Sequence, residues 1–201
     1  GAGSACGKNM MKETVDTLGN QKQVNYALRS NMTREEFIYE LTQGLGTPPA
    51  YFPLNVAMNK DGYEHLDQVI AKGNKALAPP EFEAAANQTE AVIIDTRHQT
   101  DFVKGFVPQS IFIGIDGGFA PWVGTLIKDT KQPILLVAEE GRVEEVITRL
   151  GRVGFDNTIG YLAGGFDAWK EDNREIDTIL SIPVDQFEKE VTENQLTVFD
   201  V

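Results

Sequence analysis

Short runs rich in apolar residues constrain the fold of this chain more than any other feature of its sequence. Four such runs lie at residues 91–95, 110–113, 133–137 and 158–162. The first, Ala91–Asp95, is continuously apolar up to its last residue, as expected for a strand buried on both faces of a parallel sheet. After the third run, apolar residues recur with helical spacing, at Val143, Val146, Ile147, Leu150 and Val153. Strands alternating with helices predict an α/β fold, with a parallel sheet flanked by helices.

The residues before this pattern predict a mainly helical segment. Residues 11–30 carry a loose apolar stripe, and Thr33–Glu36 matches a capping box that begins a second helix. Prolines at positions 48, 49 and 53 predict an extended loop. Residues 61–78 have weak helical character and end before Pro79-Pro80, so we interpret them as a linker.

Composition and charge exclude several classes of function. The chain has 18 Lys and Arg against 30 Asp and Glu, giving a net charge of −12. Such a surface repels phosphate backbones, and no apolar run approaches the ~18 residues of a membrane span. One cysteine and two histidines do not supply a conventional metal centre. We therefore expect no nucleic acid, no membrane and no metal or other cofactor in this segment. Because no signal-peptide pattern is present, we expect a cytoplasmic location.

A pattern near the end of the sequence repeats an earlier one. Phe82 precedes Asp95 by the same spacing with which Phe187 precedes Asp200, and an apolar run leads up to each aspartate. The repeat predicts one complete domain at 79–171 and the start of a second copy at 182–201, and we expect the chain to be a segment of a longer protein. The alternative is a chance spacing between two unrelated helix–strand pairs.

The loop after the third apolar run is the segment that most favours chemistry. A strand–loop–helix turn presents helix N-terminal N–H groups, which favour an anion. A cysteine placed there would have a lowered pKa and would react as a thiolate. The six positions of this loop are Ala138, Glu139, Glu140, Gly141, Arg142 and Val143.

Three motifs in residues 79–171 resemble those of rhodanese domains. Ile94–Arg97 matches the Asp-x-Arg strand, and Phe102–Pro108 matches the turn written F-x-x-G-H-I-P, with Phe in place of His. Gly154–Asn157 followed by Leu162–Trp169 matches the C-terminal signature, in which Gly-Gly precedes an aromatic residue and a Trp. The resemblance implies a rhodanese-like parallel sheet and a loop at 138–143 that corresponds to the family's active-site loop.

The resemblance also implies that this loop is vestigial. Active rhodaneses carry a cysteine at its first position, where it accepts sulfane sulfur as a persulfide, and this chain has Ala138. Glu139 and Glu140 would repel an anionic sulfur donor. We therefore predict no catalytic residue in this segment.

The charged residues near the loop have more than one interpretation. Acids from Glu139 to Glu145, with arginines near the end of the helix, complement the helix dipole. The alternative is that these acids recognise a cationic partner. Asp95 and Arg97 are interpreted as a structural pair at the end of a strand, and His65 and His98 as surface residues.

Residues 1–60 carry a second resemblance. Gly1–Lys8, Asn25–Leu28, Glu35–Phe37 and Pro48–Pro53 are similar to the closing part of the metallo-β-lactamase-fold domain in metallo-β-lactamase/rhodanese fusions. That group includes persulfide dioxygenase-like and glyoxalase II-like proteins. The resemblance implies that a zinc or iron site of the parent protein would lie upstream of Gly1.

These observations lead to one main expectation and two rivals. We expect a fragment of a fusion protein of sulfur or thioester metabolism, whose rhodanese-like domain is a non-catalytic docking or architectural module. Its expected partners are neighbouring domains of the same parent chain, and a homodimer is a further possibility. The first rival is a sulfurtransferase that uses Cys6 or a cysteine outside this segment. The second is a structural spacer without a ligand.

Overall fold

The computed structural model describes residues 15–44, 51–194 and 196–199. The chain divides into two compact units, residues 1–48 and 49–201. The first contains helices α1 (Leu18–Val24) and α2 (Arg34–Thr42). Helix α1 is shorter than the helix predicted at 11–30, of which residues 11–14 lie outside the described part.

The predicted capping box at the start of α2 is confirmed. The Thr33 hydroxyl oxygen accepts from the Glu36 N–H at 3.2 Å, and the Glu36 carboxylate accepts from the Thr33 N–H at 2.8 Å. These bonds satisfy two backbone donors that a helix start otherwise leaves unpaired. The bond from the Thr33 N–H also holds the pKa of Glu36 below its usual value, because it stabilises the charged carboxylate.

The second unit is a parallel sheet with helices on both faces, as predicted. Its elements are α3 (Phe52–Asp61), α4 (Leu66–Gly73), β1 (Ala76–Leu77), α5 (Pro79–Thr89), β2 (Val92–Asp95), α6 (Gln99–Phe102), β3 (Ile111–Phe112), α7 (Phe119–Leu126), β4 (Ile134–Val137), α8 (Val143–Gly151), β5 (Thr158–Leu162), α9 (Gly165–Glu171) and α10 (Val184–Asn194). The strand order is β1-β5-β4-β2-β3, and every pairing is parallel.

The sheet separates two hydrophobic cores, and β4 contributes to both. Ile134 and Leu136 of β4 face the core formed with α4, α7 and α8, whereas Leu135 and Val137 face the core formed with α5 and α9. All four side chains are fully buried, as expected for a central parallel strand. Burial on both faces explains why this strand is continuously apolar in sequence.

The structure differs from the sequence predictions at two places before the sheet. The segment 61–78, interpreted as a linker, contains α4 and β1, and β1 pairs with β5 as an edge strand of the sheet. The extended loop predicted around Pro53 contains the start of α3, with Pro53 in its first turn. Proline is tolerated there because the first helical N–H groups have no partner within the helix.

The end of the chain is helical where the repeat begins. Helix α10 covers the position of Phe187. The apolar run at 196–201 corresponds in the repeat to the strand at 92–96 and therefore predicts a strand, but residues 196–199 have no regular secondary structure, so this strand is not formed over the described residues. Residues 200 and 201 of that prediction lie outside them. In the described part of the chain, no helix is both long and apolar enough to cross a bilayer.

Candidate functional site

The loop predicted to be a vestigial active site lies at the carboxyl end of the central strand β4. The Val137 carbonyl accepts from the Thr96 N–H at 2.8 Å, which fixes the end of β4 against the end of β2. The chain then turns through Ala138 to Arg142 before α8 begins at Val143. Gly141 adopts a φ of +77°, a left-handed conformation that favours glycine, and the Arg142 N–H donates to the Glu139 carbonyl at 3.1 Å. Open α/β sheets bind ligands at this edge.

The loop borders an open cavity of about 910 Å³. Ala138, Glu139, Glu140 and Gly141 form one wall, together with Val143 and Glu144 from the first turn of α8. The turn between β5 and α9 also lines the cavity, and Gly164 and Gly165 of this turn have φ of +71° and +61°. Ala138 is 7% exposed, so a methyl group occupies the position between the cavity and the buried end of β4.

A buried ion pair positions one cationic side chain in the cavity. Arg97 binds the Asp95 carboxylate through Nε and Nη2, with a shortest distance of 2.6 Å, and Nη2 also donates to the Gly105 carbonyl at 2.9 Å. Its guanidinium carbon lies 4.4 Å from the centre of the Phe166 ring. Burial raises the pKa of Asp95, and the bonds from Arg97 oppose that rise. The predicted Asp95–Arg97 pair is confirmed, and it also fixes a wall of the cavity.

Acidic side chains outnumber basic ones around the cavity. The lining includes five carboxylates and three cations: Asp101, Glu139, Glu140, Glu144 and Asp167 against Arg97, Lys104 and Lys170. The Lys104 ammonium donates to Asp101 at 2.8 Å and holds the pKa of that carboxyl below its usual value. Glu139 and Glu140 are exposed at the rim. The lining therefore disfavours an anion where the loop meets solvent.

The cation of the loop itself, Arg142, does not line this cavity. Arg142 donates to both oxygens of Asp116, at 2.8 and 2.7 Å, and to Glu145 at 3.0 Å. These bonds raise the pKa of Arg142, the largest effect coming from Asp116, and lower the pKa of Asp116 and of Glu145. Five of the six predicted loop residues thus line the cavity, whereas Arg142 does not. Glu145 supports the structural interpretation, because it binds Arg142 and, at 2.6 Å, Arg149.

Sequence reasoning missed the part of the cavity lining that comes from outside the loop. The sequence marks Phe166 and the glycines at 164 and 165 as part of a family signature, and the structure places all three in the cavity lining. Lys104 lies in the turn after α6 and Lys170 lies on α9. No local sequence pattern predicts that both line one cavity. The pair of adjacent glycines was the available signal, since two successive left-handed residues favour a close approach of backbone to a ligand.

A protein-family model described as the rhodanese-like domain matches residues 78–172. The parallel sheet and the loop after β4 lie within those bounds, apart from the edge strand β1. Residues 78–172 form a rhodanese-like domain. This confirms the rhodanese-like fold implied by the three sequence motifs.

Solved structures resemble the chain over different shares of its length. A metallo-β-lactamase from Staphylococcus aureus is 26% identical with a TM-score of 0.60, and the match covers 81% of this chain and 43% of that one. The Alr3790 protein from Anabaena is 15% identical with a TM-score of 0.46, covering 60% of this chain and 100% of that one. A thiosulfate sulfurtransferase from Pseudomonas aeruginosa is 18% identical with a TM-score of 0.42, covering 72% and 26%. No curated protein matches the sequence significantly.

The described residues do not fit a metal centre. Among them, no three His, Cys, Asp or Glu side chains are grouped so that they could hold an ion. His98 accepts from the Thr100 N–H through Nδ1 at 3.3 Å, as expected of a surface residue, and Cys6 lies outside the described part.

Proposed function

We propose that the rhodanese-like domain is a non-catalytic docking or architectural module of a metallo-β-lactamase/rhodanese fusion. The observation that carries this proposal is Ala138, which stands where the chain leaves β4 and enters the cavity. A methyl group has no lone pair with which to attack a sulfane sulfur, so the persulfide step of a rhodanese has no acceptor at this position. The chain's single cysteine lies far away in sequence, at position 6.

The charge around the cavity supports the same proposal. A like-charge contact at 4 Å costs about 4 kcal/mol at an effective dielectric of 20, before solvent screening reduces it. Glu139 and Glu140 would impose such contacts on thiosulfate at the cavity rim. Arg142, the cation nearest to them in sequence, is held by Asp116 at 2.7 Å and Glu145 at 3.0 Å, and its longer contact of 3.8 Å with Glu139 offsets that charge only in part.

The similarity to the S. aureus structure favours the fusion. Its match extends over 81% of this chain, well beyond the rhodanese-like domain at 78–172, and leaves more than half of that protein outside the match. In our proposal the parent protein works in sulfur or thioester metabolism in the cytoplasm. Its zinc or iron would lie in an upstream domain, residues 1–60 would close that domain, and residues 182–201 would begin a second rhodanese-like copy. The partners of the module are then these neighbouring domains, and a homodimer is a further outcome to test.

A thiosulfate:cyanide assay on the 201-residue chain tests the absence of catalysis. We expect turnover at the level of the reaction without enzyme, for the chain as it stands and for Cys6→Ala. Turnover above that level that survives Cys6→Ala would overturn the proposal. Turnover that Cys6→Ala abolishes would instead support the rival sulfurtransferase that uses Cys6.

A gain-of-function series tests the account of the loop. Ala138→Cys alone should transfer little sulfur, because Glu139 and Glu140 raise the pKa of the new thiol and repel anionic donors. Adding Glu139→Arg and Glu140→Ser should increase turnover at least about tenfold, since one pKa unit corresponds to a factor of ten. The matched control carries the two glutamate changes with Ala138 retained and should stay inactive. Equal activity of the single and triple variants would show that the acidic rim is no barrier.

A further inference from the structure

The segment after α9 turns back across the rhodanese-like domain. Residues 174–179, called the strap below, lie antiparallel to residues 103–106. The Phe106 N–H donates to the Asp177 carbonyl at 2.9 Å, and the Asp177 N–H donates to the Phe106 carbonyl at 3.0 Å. The Ile179 N–H donates to the Val103 carbonyl at 2.9 Å. Three backbone bonds outside the main sheet therefore hold the strap to the turn that precedes β3.

Arg174 anchors the first residue of the strap. Its Nη1 donates to Glu83 of α5, its Nε donates to Asp172 at 2.7 Å, and its guanidinium carbon lies 5.1 Å from the centre of the Trp169 ring. The Trp169 indole N–H donates to the Glu175 carbonyl at 2.8 Å. The Arg174 side chain is 17% exposed, so this end of the strap is packed and charge-paired.

The strap also forms part of the cavity wall. Ile176 lines the cavity, and a Cβ atom added at Gly105 would lie 3.7 Å from its Cδ1 and 2.9 Å from the Phe166 ring. The Gly105 carbonyl is the one that accepts from Arg97 at 2.9 Å. Gly105 is thus bonded to Arg97 of the cavity, and the space beside its Cα atom is bounded by Phe166 of the cavity and by Ile176 of the strap.

Of the three backbone bonds that hold the strap, the last along the chain is the one at Ile179. The next residue, Leu180, is 82% exposed and leads towards α10. We propose that the strap is a latch that opens as one unit and that Gly105 links its closure to the packing of the cavity wall. Closed, it holds the chain that leads to α10 against the domain. Open, the strap extends over about 20 Å and allows α10 to move by that distance.

Amide hydrogen exchange on the 201-residue chain tests the latch. Segments that open together exchange at one common opening free energy. We expect Arg174→Ala to accelerate exchange of the Phe106, Asp177 and Ile179 amides by one shared factor of at least about ten, because it removes two charge-assisted bonds. The Thr96 amide, which donates to β4, should keep its rate and reports the integrity of the sheet.

Matched variants decide between a latch and a general loss of structure. Arg152→Ala removes an exposed arginine for which the described residues show no side-chain bond, and it should leave all four amides unchanged. If Arg174→Ala also accelerates Thr96, Glu83→Gln replaces it, because this change weakens one ion pair and leaves Arg174 on Trp169. Unequal factors for the amides of Phe106, Asp177 and Ile179, which donate the three bonds between the strap and the turn, or unchanged rates in both variants, would show that the strap does not open as a unit.

The link to the cavity has its own test. Gly105→Ala places a methyl group against Phe166 and Ile176, so we expect faster exchange at Asp177 and Ile179 with Thr96 unchanged. Strap amides that keep their original rates in this variant would overturn the link. None of these exchange rates depends on sulfur transfer. A result that overturns the latch therefore leaves the proposed absence of catalysis untouched, and the reverse also holds.

Discussion

Helices α5 and α10 carry the same sequence signal in different surroundings. Each has a phenylalanine at the same distance ahead of an aspartate, and each is 11 residues long. Phe82 on α5 is fully buried, whereas Phe187 on α10 is 43% exposed. The local pattern was enough to form both helices, but burial required a sheet to receive the apolar face. The repeated sequence therefore encodes the helix, whereas burial of its phenylalanine depends on the neighbouring sheet.

The surroundings of Phe82 account for its burial. Its ring meets the Trp169 ring edge-on, with centres 6.1 Å apart, in the core that Leu135 and Leu162 of the sheet also form. On α10, Val184 is 84% exposed and no residue is buried among those described. The apolar face of α10 thus corresponds in sequence to the packed face of α5, but it is not buried against other described residues.

The largest expected effect comes from removing the packed ring. Phe82→Ala should lower the free energy of unfolding by about 3–5 kcal/mol, the usual cost of a cavity left by a buried phenylalanine. Denaturant unfolding of the variant and of the unchanged chain measures the difference. Phe82→Leu is the matched control and should lose less, because it fills more of the space. A loss far below that range would mean that α5 is not packed in solution as it is in the structure.

A smaller effect is expected at the start of α5. Glu81 accepts from the Ala78 N–H at 3.0 Å, which supplies one half of a capping box. The equivalent residue on α10 is Gln186, but Pro183 stands where Ala78 does and has no N–H to donate. We expect Glu81→Ala to cost about 1 kcal/mol and Gln186→Ala to stay within about 0.5 kcal/mol of zero.

The same unfolding measurements compare the two caps directly. Glu81→Gln keeps an oxygen acceptor and should recover most of the loss, which separates the hydrogen bond from the charge. Equal costs for Glu81→Ala and Gln186→Ala would show that the proline does not distinguish the two helix starts.

Much of the sheet could be predicted because burial on both faces leaves a local signature. The runs at 91–95, 133–137 and 158–162 agree closely with β2, β4 and β5 at both ends. Strand β1 is too short to show a periodicity, so its place in the sheet depends on contacts with β5 that no local pattern encodes. Helix α7 was missed because Pro121 lies inside its first turn, where proline is tolerated but resembles a loop signal.

Part of the candidate site could also be predicted, because the loop lies between two elements that have a local sequence pattern. The loop from Ala138 to Val143 follows a recognisable strand and precedes a recognisable helix, so its position was local information. Whether Arg142 faces the cavity depends on Asp116, which is distant from it in sequence. Ile176 reaches the cavity through pairing of the strap with the turn at 103–106, and only the three-dimensional structure reveals that pairing.

The smallest expected effect is at the exposed ring. Phe187→Ala should change the free energy of unfolding by less than about 0.5 kcal/mol, because a half-exposed side chain with little packing leaves no cavity. The measurement is made at two protein concentrations well apart, since a contact between copies of the chain stabilises the folded state by mass action. If Phe187→Ala costs more at the higher concentration, α10 is covered by a second copy, and the homodimer gains support. A cost several times larger than expected that is independent of concentration would instead mean that α10 packs within its own chain, and the contrast with α5 would disappear.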